Sequence, residues 1–259
     1  MKKVKQYLLV ILLLVGANNL IYAEEIRNLL IEKSKKAAMS LGYDGAYILT
    51  SPLRMDGKDV KKLLLVSGIS YGLMPLENKI QNGLINTNYD QIGNIVEPLG
   101  VTNRKFYLAM GSLYVYGLIS NDNKLKRTPL LLMESTLFNT TLTKFFKYTF
   151  GRARPSQREG EWDSFAPFSG HDAFPSGHTS TAFTIATVIS NQYPSRLVKV
   201  SSYTIAGLVG LQRLHANVHG ISDVFAGAIL GIWVGNTVCS LDKTWTKDNI
   251  DFSLSFVSH

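Results

Sequence analysis

Six apolar segments recur along the chain: Leu63–Leu76, Phe106–Asn121, Leu130–Phe146, Thr179–Gln192, Val200–Gln212 and Val224–Leu241. Their length, and the absence of the strict apolar–polar alternation of a half-buried strand, predict helices. Six helices packed as one all-α bundle is the simplest architecture that buries them. Most of the segments are free of charge for only 14 to 18 residues and are diluted with Ser, Thr, Asn and Gly. Membrane spans need about 20 predominantly apolar residues, so the pattern reads as the core of a soluble or membrane-associated domain, with an integral inner-membrane bundle as the open alternative.

The flanks differ from this core. Lys2, Lys3 and Lys5 precede an apolar run from Tyr7 to Val15, and Ile21-Tyr22-Ala23 offers a small-residue cleavage site. This layout predicts a secretory signal peptide over residues 1–23 and hence export to the periplasm. From Ile26 to Met39, Ile26, Leu29, Leu30 and Ala37 fall at helical intervals among polar residues, predicting a surface helix. Gly42, Gly45, Ser51-Pro52 and Gly57 then mark a turn-rich link, so 24–60 reads as helix and linker, and 61–241 as one catalytic domain. The polar tail, 242–259, alternates Phe252, Leu254 and Phe256 and predicts at most a short strand.

Composition narrows the function. Cys239 is the only cysteine, so one chain can hold neither a disulfide nor a cysteine zinc site. The formal charge is +8, and loss of residues 1–23, with three lysines and no acid, leaves +5. Such an excess suits an anionic substrate or a lipid headgroup surface. The basic residues are scattered and carry no nucleic-acid motif, which argues against a nucleic-acid partner.

Three blocks carry candidate chemistry. Lys147 and Arg154 lie seven residues apart, with Gly151 and Pro155 signalling that the helix ends before the arginine. A guanidinium fork and an ammonium together suit phosphate oxygens, although basic residues at a helix end, Arg152 and Lys144 among them, equally suit the helix dipole. Pro175-Ser176-Gly177-His178 reads as a helix entrance capped by Ser176, whose backbone N–H groups form an anion site with His178 as proton donor. Plain capping is the ordinary reading of such a turn. His219 and Asp223 are four apart, so the carboxylate could accept from one ring nitrogen and leave the other free to attack, or simply satisfy a buried histidine. Arg213 precedes them, with Asn217, Val218 and Gly220 marking a break between.

Together these residues resemble the phosphatidic acid phosphatase type 2 family, which shares its site with bacterial nonspecific acid phosphatases and vanadium haloperoxidases. The family pattern is Lys, six residues, Arg-Pro; then Pro-Ser-Gly-His; then Ser-Arg, five residues, His, three residues, Asp. The chain matches at Lys147, Arg154, Pro155, Pro175, Ser176, Gly177, His178, Arg213, His219 and Asp223, and departs only at Gln212, where serine is usual. The resemblance implies the family's six-helix core and a phosphohistidine mechanism without a metal. Lys147, Arg154, Arg213, Ser176 and Gly177 would bind phosphate, His219 attack, Asp223 support it, and His178 act as acid and then base. It also implies a phosphorylated lipid or a small soluble phosphate ester as substrate, a membrane surface as the setting for the former, and vanadate as inhibitor or, in a haloperoxidase, as cofactor. Oligomeric state is left open. His171 and His215 fall outside the pattern and read as a solvated loop residue and a structural one, while Trp162, Phe165, Phe168 and Phe174 would line an acyl surface or pack the loop.

Overall fold

The computed structural model describes residues 24, 27–28, 31–32, 34–85, 90–96, 98, 103–158 and 164–247. The predicted signal peptide, Trp162 and the predicted strand at 252–256 lie outside the described residues. The described chain divides in sequence into two compact units, with the boundary between Asp44 and Gly45. In the first, the described residues are helical and largely exposed.

The second unit holds eight helices among the described residues: α1 (Gly57–Leu73), α2 (Glu77–Ile85), α3 (Asp90–Val96), α4 (Arg104–Ile119), α5 (Asn123–Phe150), α6 (Gly177–Gln192), α7 (Arg196–His215) and α8 (Ile221–Lys247). The expected all-α architecture is what forms, and each of the six apolar segments lies mainly on its own helix, with Met74–Leu76 forming a separate 3-10 turn and Ser120 and Asn121 lying past the end of α4. Among the described residues no strand is present, and the sole extended pairing is an isolated antiparallel bridge between Arg152 and Phe165.

Helix starts fall several residues ahead of the apolar runs because acidic and amide caps set them. Asp56 accepts from the backbone N–H of Lys58 and Asp59, Asn103 from Lys105 and Phe106, and Asp122 from Lys124 and Leu125. α5 therefore begins at Asn123 and runs through Pro129, rather than starting after the proline. It stops at Phe150, where Gly151 takes a left-handed φ of 54° and returns its N–H to the Lys147 carbonyl at 2.8 Å.

Small residues set how closely the helices approach. Gly227, Gly231 and Gly235 form a stripe on α8 that faces Ser176, Ser180, Thr184 and Thr187 of α6, and a Cβ at Gly227 would stand 2.6 Å from the Ser176 carbonyl oxygen. On α5, Ser135, Asn139 and Thr143 are buried at successive four-residue steps that lead to Lys147, and the Asn139 amide bonds the Thr181 hydroxyl at 3.3 Å and accepts from Ser180. The apolar core consists of Ile48, Leu131, Leu132, Val188, Val234 and Val238, with a second cluster at Val96, Ala182, Ala186, Ala206 and Val209.

On α5 and α6 the small polar residues Ser135, Thr143, Ser180, Thr184 and Thr187 thus point into helix seams, while Leu63, Leu64, Leu65 and Ile69 of α1 and Leu108, Tyr116 and Ile119 of α4 are exposed. That is the reverse of a water-soluble surface. Among the described residues one helix, Ile221–Thr244, is by length and composition apolar enough to cross a membrane, with a mean hydropathy of 1.7.

Candidate active site

Close packing of α6 on α8 brings the starts of both helices together, and the loop after α5 folds over them. The Ala173 N–H donates to the Arg152 carbonyl at 2.9 Å, and the Ser176 N–H to the Asp223 carbonyl at 2.9 Å. The Phe174–Pro175 peptide between these anchors is cis. All three sequence blocks therefore converge. A Cβ at Gly177 would lie 3.7 Å from Cε of Lys147, so the lysine stem lies along the opening turn of α6.

Lys147 and Arg154 meet as expected, and what joins them is a side chain. Arg154 donates from Nε and Nη2 to the two carboxylate oxygens of Asp172 at 2.8 and 2.9 Å. Lys147 Nζ lies 3.6 Å from Asp172 Oδ2 and donates to the Asp172 carbonyl. The Arg154 hydrogen bonds hold the Asp172 carboxyl below its usual range, reinforced by the Lys147 charge against partial burial. The same bonds raise Arg154.

Ser176 occupies the cap position of α6, but its hydroxyl pairs with Thr179 Oγ1 at 2.9 Å and not with a backbone N–H. His178, the second residue of α6, is half-buried. Arg213 is buried at the last turn of α7 with its Nε donating to Gln212. The glutamine at the family's serine position thus supports the arginine directly.

His219 is buried, and the i,i+4 geometry expected between it and Asp223 is altered. α8 begins at Ile221, so His219 lies in the preceding turn, with Nδ1 2.8 Å from the Ala173 carbonyl and 3.8 Å from Asp223 Oδ2. A carbonyl can only accept, so Nδ1 carries the proton and Nε2 keeps its lone pair. It is Ala173 that fixes the tautomer, while Asp223 contributes charge at short range. Burial lowers the pKa of His219, Asp223 opposes that shift, and Lys147 and Arg154 add to it. The ring is neutral at neutral pH, as a nucleophile must be.

Asp223 is instead committed to a buried ion network invisible in the motif pattern. Its Oδ2 caps α8 by accepting from the Gly220 N–H at 2.8 Å, and its Oδ1 accepts from Arg152 Nη1 at 2.5 Å. Arg152, read from sequence as part of a solvated helix end, is fully buried and also binds Glu77 at 3.0 Å. Arg158 binds Glu77 at 2.6 Å and lies 3.5 Å from Asp223. The only sequence signal for Arg152 was its place between Lys147 and Arg154; Glu77 offered none.

The loop aromatics pack on one another. Phe150, Phe165 and Phe174 form edge-to-face pairs with centroids 5.2 to 6.3 Å apart, and Phe168 packs on Tyr148. Phe168 and Tyr148 stay largely exposed, so the cluster also presents an apolar rim. His171 is half-buried, and His215 ends α7. Among the described residues no group of three His, Cys, Asp or Glu side chains could hold a metal ion.

Residues 128–247 match the PAP2 superfamily model. A lipid A 1-phosphatase of Porphyromonas gingivalis is 41% identical over 91 residues, 34% of this chain and 18% of that protein. One of Rhizobium johnstonii is 35% identical over 106 residues, 39% and 43% of the two chains. The chain spans less than half the length of these curated relatives. The crystal structure of a transmembrane PAP2-type phosphatidylglycerolphosphate phosphatase from Bacillus subtilis is 21% identical, with a TM-score of 0.55 over 71% of this chain and 96% of that one, and shares the fold.

Proposed function

We propose that the chain is a phosphatase that removes a phosphate from a lipid, of the lipid A phosphate type, through a phosphohistidine and without a metal, its catalytic domain lying within 61–241. The observation that carries the chemistry is His219: buried, neutral, with Nδ1 tied to Ala173, and within the influence of the Lys147 and Arg154 charges. Lys147, Arg154, Arg213, Ser176 and the Gly177 amide take the phosphate oxygens, and their charge stabilises the trigonal-bipyramidal transition state. Nε2 of His219 forms a bond to phosphorus as the phosphorus–alkoxide bond breaks, and His178 gives its proton to the departing oxygen. His178 then takes a proton from water, the hydroxide attacks phosphorus, and the phosphorus–nitrogen bond breaks to release phosphate and His219.

Two observations favour a lipid leaving group: the apolar rim at Tyr148 and Phe168, and the outward-facing leucines of α1 and α4. The lipid A phosphatases among the relatives support the same reading. We infer that the protein is exported and acts at a membrane. Phosphate release by the purified chain in detergent is expected to be faster from lipid A 1-phosphate than from p-nitrophenyl phosphate, and His219→Ala is expected to abolish both, about 10³-fold or more. A preference for the soluble ester would instead indicate a broad acid phosphatase. Peroxide-dependent bromination with added vanadate would indicate a haloperoxidase.

A further inference from the structure

Glu77 opens α2, 51 residues before the segment matched by the family, and is buried beneath the candidate nucleophile. Its Oε1 accepts from the Ser222 N–H at 3.1 Å and the Ser222 hydroxyl at 2.5 Å, and its Oε2 from Arg152 at 3.0 Å and Arg158 at 2.6 Å. The Gly220 Cα faces the same carboxylate, and a Cβ there would overlap it, so Glu77 meets the turn that carries His219 as well as the first turn of α8.

The charges close as a group. Arg152 and Arg158 both face Asp223 and Glu77, two cations against two anions, each side chain at most 5% exposed. A buried ion with its partner removed is strongly unfavourable, whereas a replacement by packed apolar residues is often tolerated. Removing the Glu77 charge would leave Arg152 and Arg158 facing Asp223 alone.

We propose that Glu77 is the positioning residue of the His219 nucleophile: through Ser222 it fixes the turn on which the ring sits, and through Arg152 it sets the charge that Asp223 presents to the ring. The proposal rests on the phosphatase reading, and it assigns to a helix outside the family segment a part in the reaction. The proposed phosphate ligands Lys147 and Arg154 pair with Asp172, outside the Glu77 network, so the effect of losing Glu77 falls on attack and not on binding.

Glu77→Gln keeps the shape and removes the charge. In the full chain kcat is expected to fall about tenfold to 100-fold, the size typical of lost outer-shell support, with KM and inhibition by inorganic phosphate within twofold of the parent. Circular dichroism reports whether the variant folds. Losing a negative charge beside Asp223 also lowers the pKa of the His219 ring, followed by NMR, while the other groups that face it, Asp223, Asp172, Lys147 and Arg154, are unchanged. A folded variant with kcat within twofold of the parent, or one whose KM and phosphate inhibition weaken in step with kcat, overturns the proposal. Should Glu77→Gln not fold, Ser222→Ala decides in its place: it keeps all four charges and drops only hydroxyl bonds, and lower kcat at constant KM supports the proposal while parental kcat overturns it. A parent that releases phosphate from no ester refutes the phosphatase reading alone. The His219 titration then decides for Glu77, a downward shift supporting it and no shift overturning it.

Discussion

At the scale of single residues, the contact that most shapes the site is the Asp172 carboxylate, which spans Arg154 with both oxygens and approaches Lys147. It takes up the bidentate geometry that two phosphoryl oxygens would use. A phosphate entering between the two cations competes with it. Asp172→Asn keeps the size and lowers the charge, so inhibition by inorganic phosphate is expected to tighten about fivefold, as for the loss of a half-exposed ion pair. Measured inhibition constants would show it, and an unchanged or weaker constant would contradict it. Arg154 holds the Asp172 carboxyl below its ordinary range, and a depressed carboxyl stays ionised through neutral and mildly acidic pH. The difference between parent and variant therefore stays constant over that range and closes only as pH falls through the depressed pKa.

At the scale of elements, the starts of α6 and α8 carry the proposed machinery, and glycine contacts hold the two helices together. Gly220, in the turn before α8, is equally crowded, since a Cβ there would stand 2.3 Å from the Glu77 carboxylate. Gly220→Ala is expected to lower stability by about 1–3 kcal/mol through overpacking, seen as a reduced unfolding temperature; an unchanged transition would mean that Glu77 can retreat. The helices themselves were legible because their apolar runs are long. Their first turns were not, because Asp56 and Asp122 cap polar stretches such as Lys58-Asp59 and Asn123-Lys124 that carry no apolar signal. α2 and α3 escaped notice for a related reason: Glu77–Ile85 and Asp90–Val96 are short and mostly polar, and their packing against α7 and not their periodicity makes them helices.

At the scale of the whole molecule, Lys147, Arg154, Ser176, Gly177, His178, Arg213, His219 and Asp223 could be marked in sequence because each lies in a short spaced motif. Glu77 could not, since it meets Ser222 across 145 positions and nothing near it announces a partner. The Ala173 carbonyl was hidden for a different cause, as backbone acceptors leave no trace in residue type. The same difference of scale governs the membrane question. The serines and threonines that dilute the runs of α5 and α6 look like a water-soluble core when read one helix at a time, and only the assembled bundle shows Ser135, Thr143, Ser180 and Thr184 turned inward while leucines of α1 and α4 face outward. The central claim is that His219 is the atom donor to phosphorus. Rapid alkaline quenching during turnover of a lipid phosphate, followed by mass spectrometry of the peptides, tests it most directly. The account predicts a phosphoryl group on His219 in the parent and none in His219→Ala; turnover with His219 unmodified, or release of phosphate by His219→Ala at the parental rate, would contradict it.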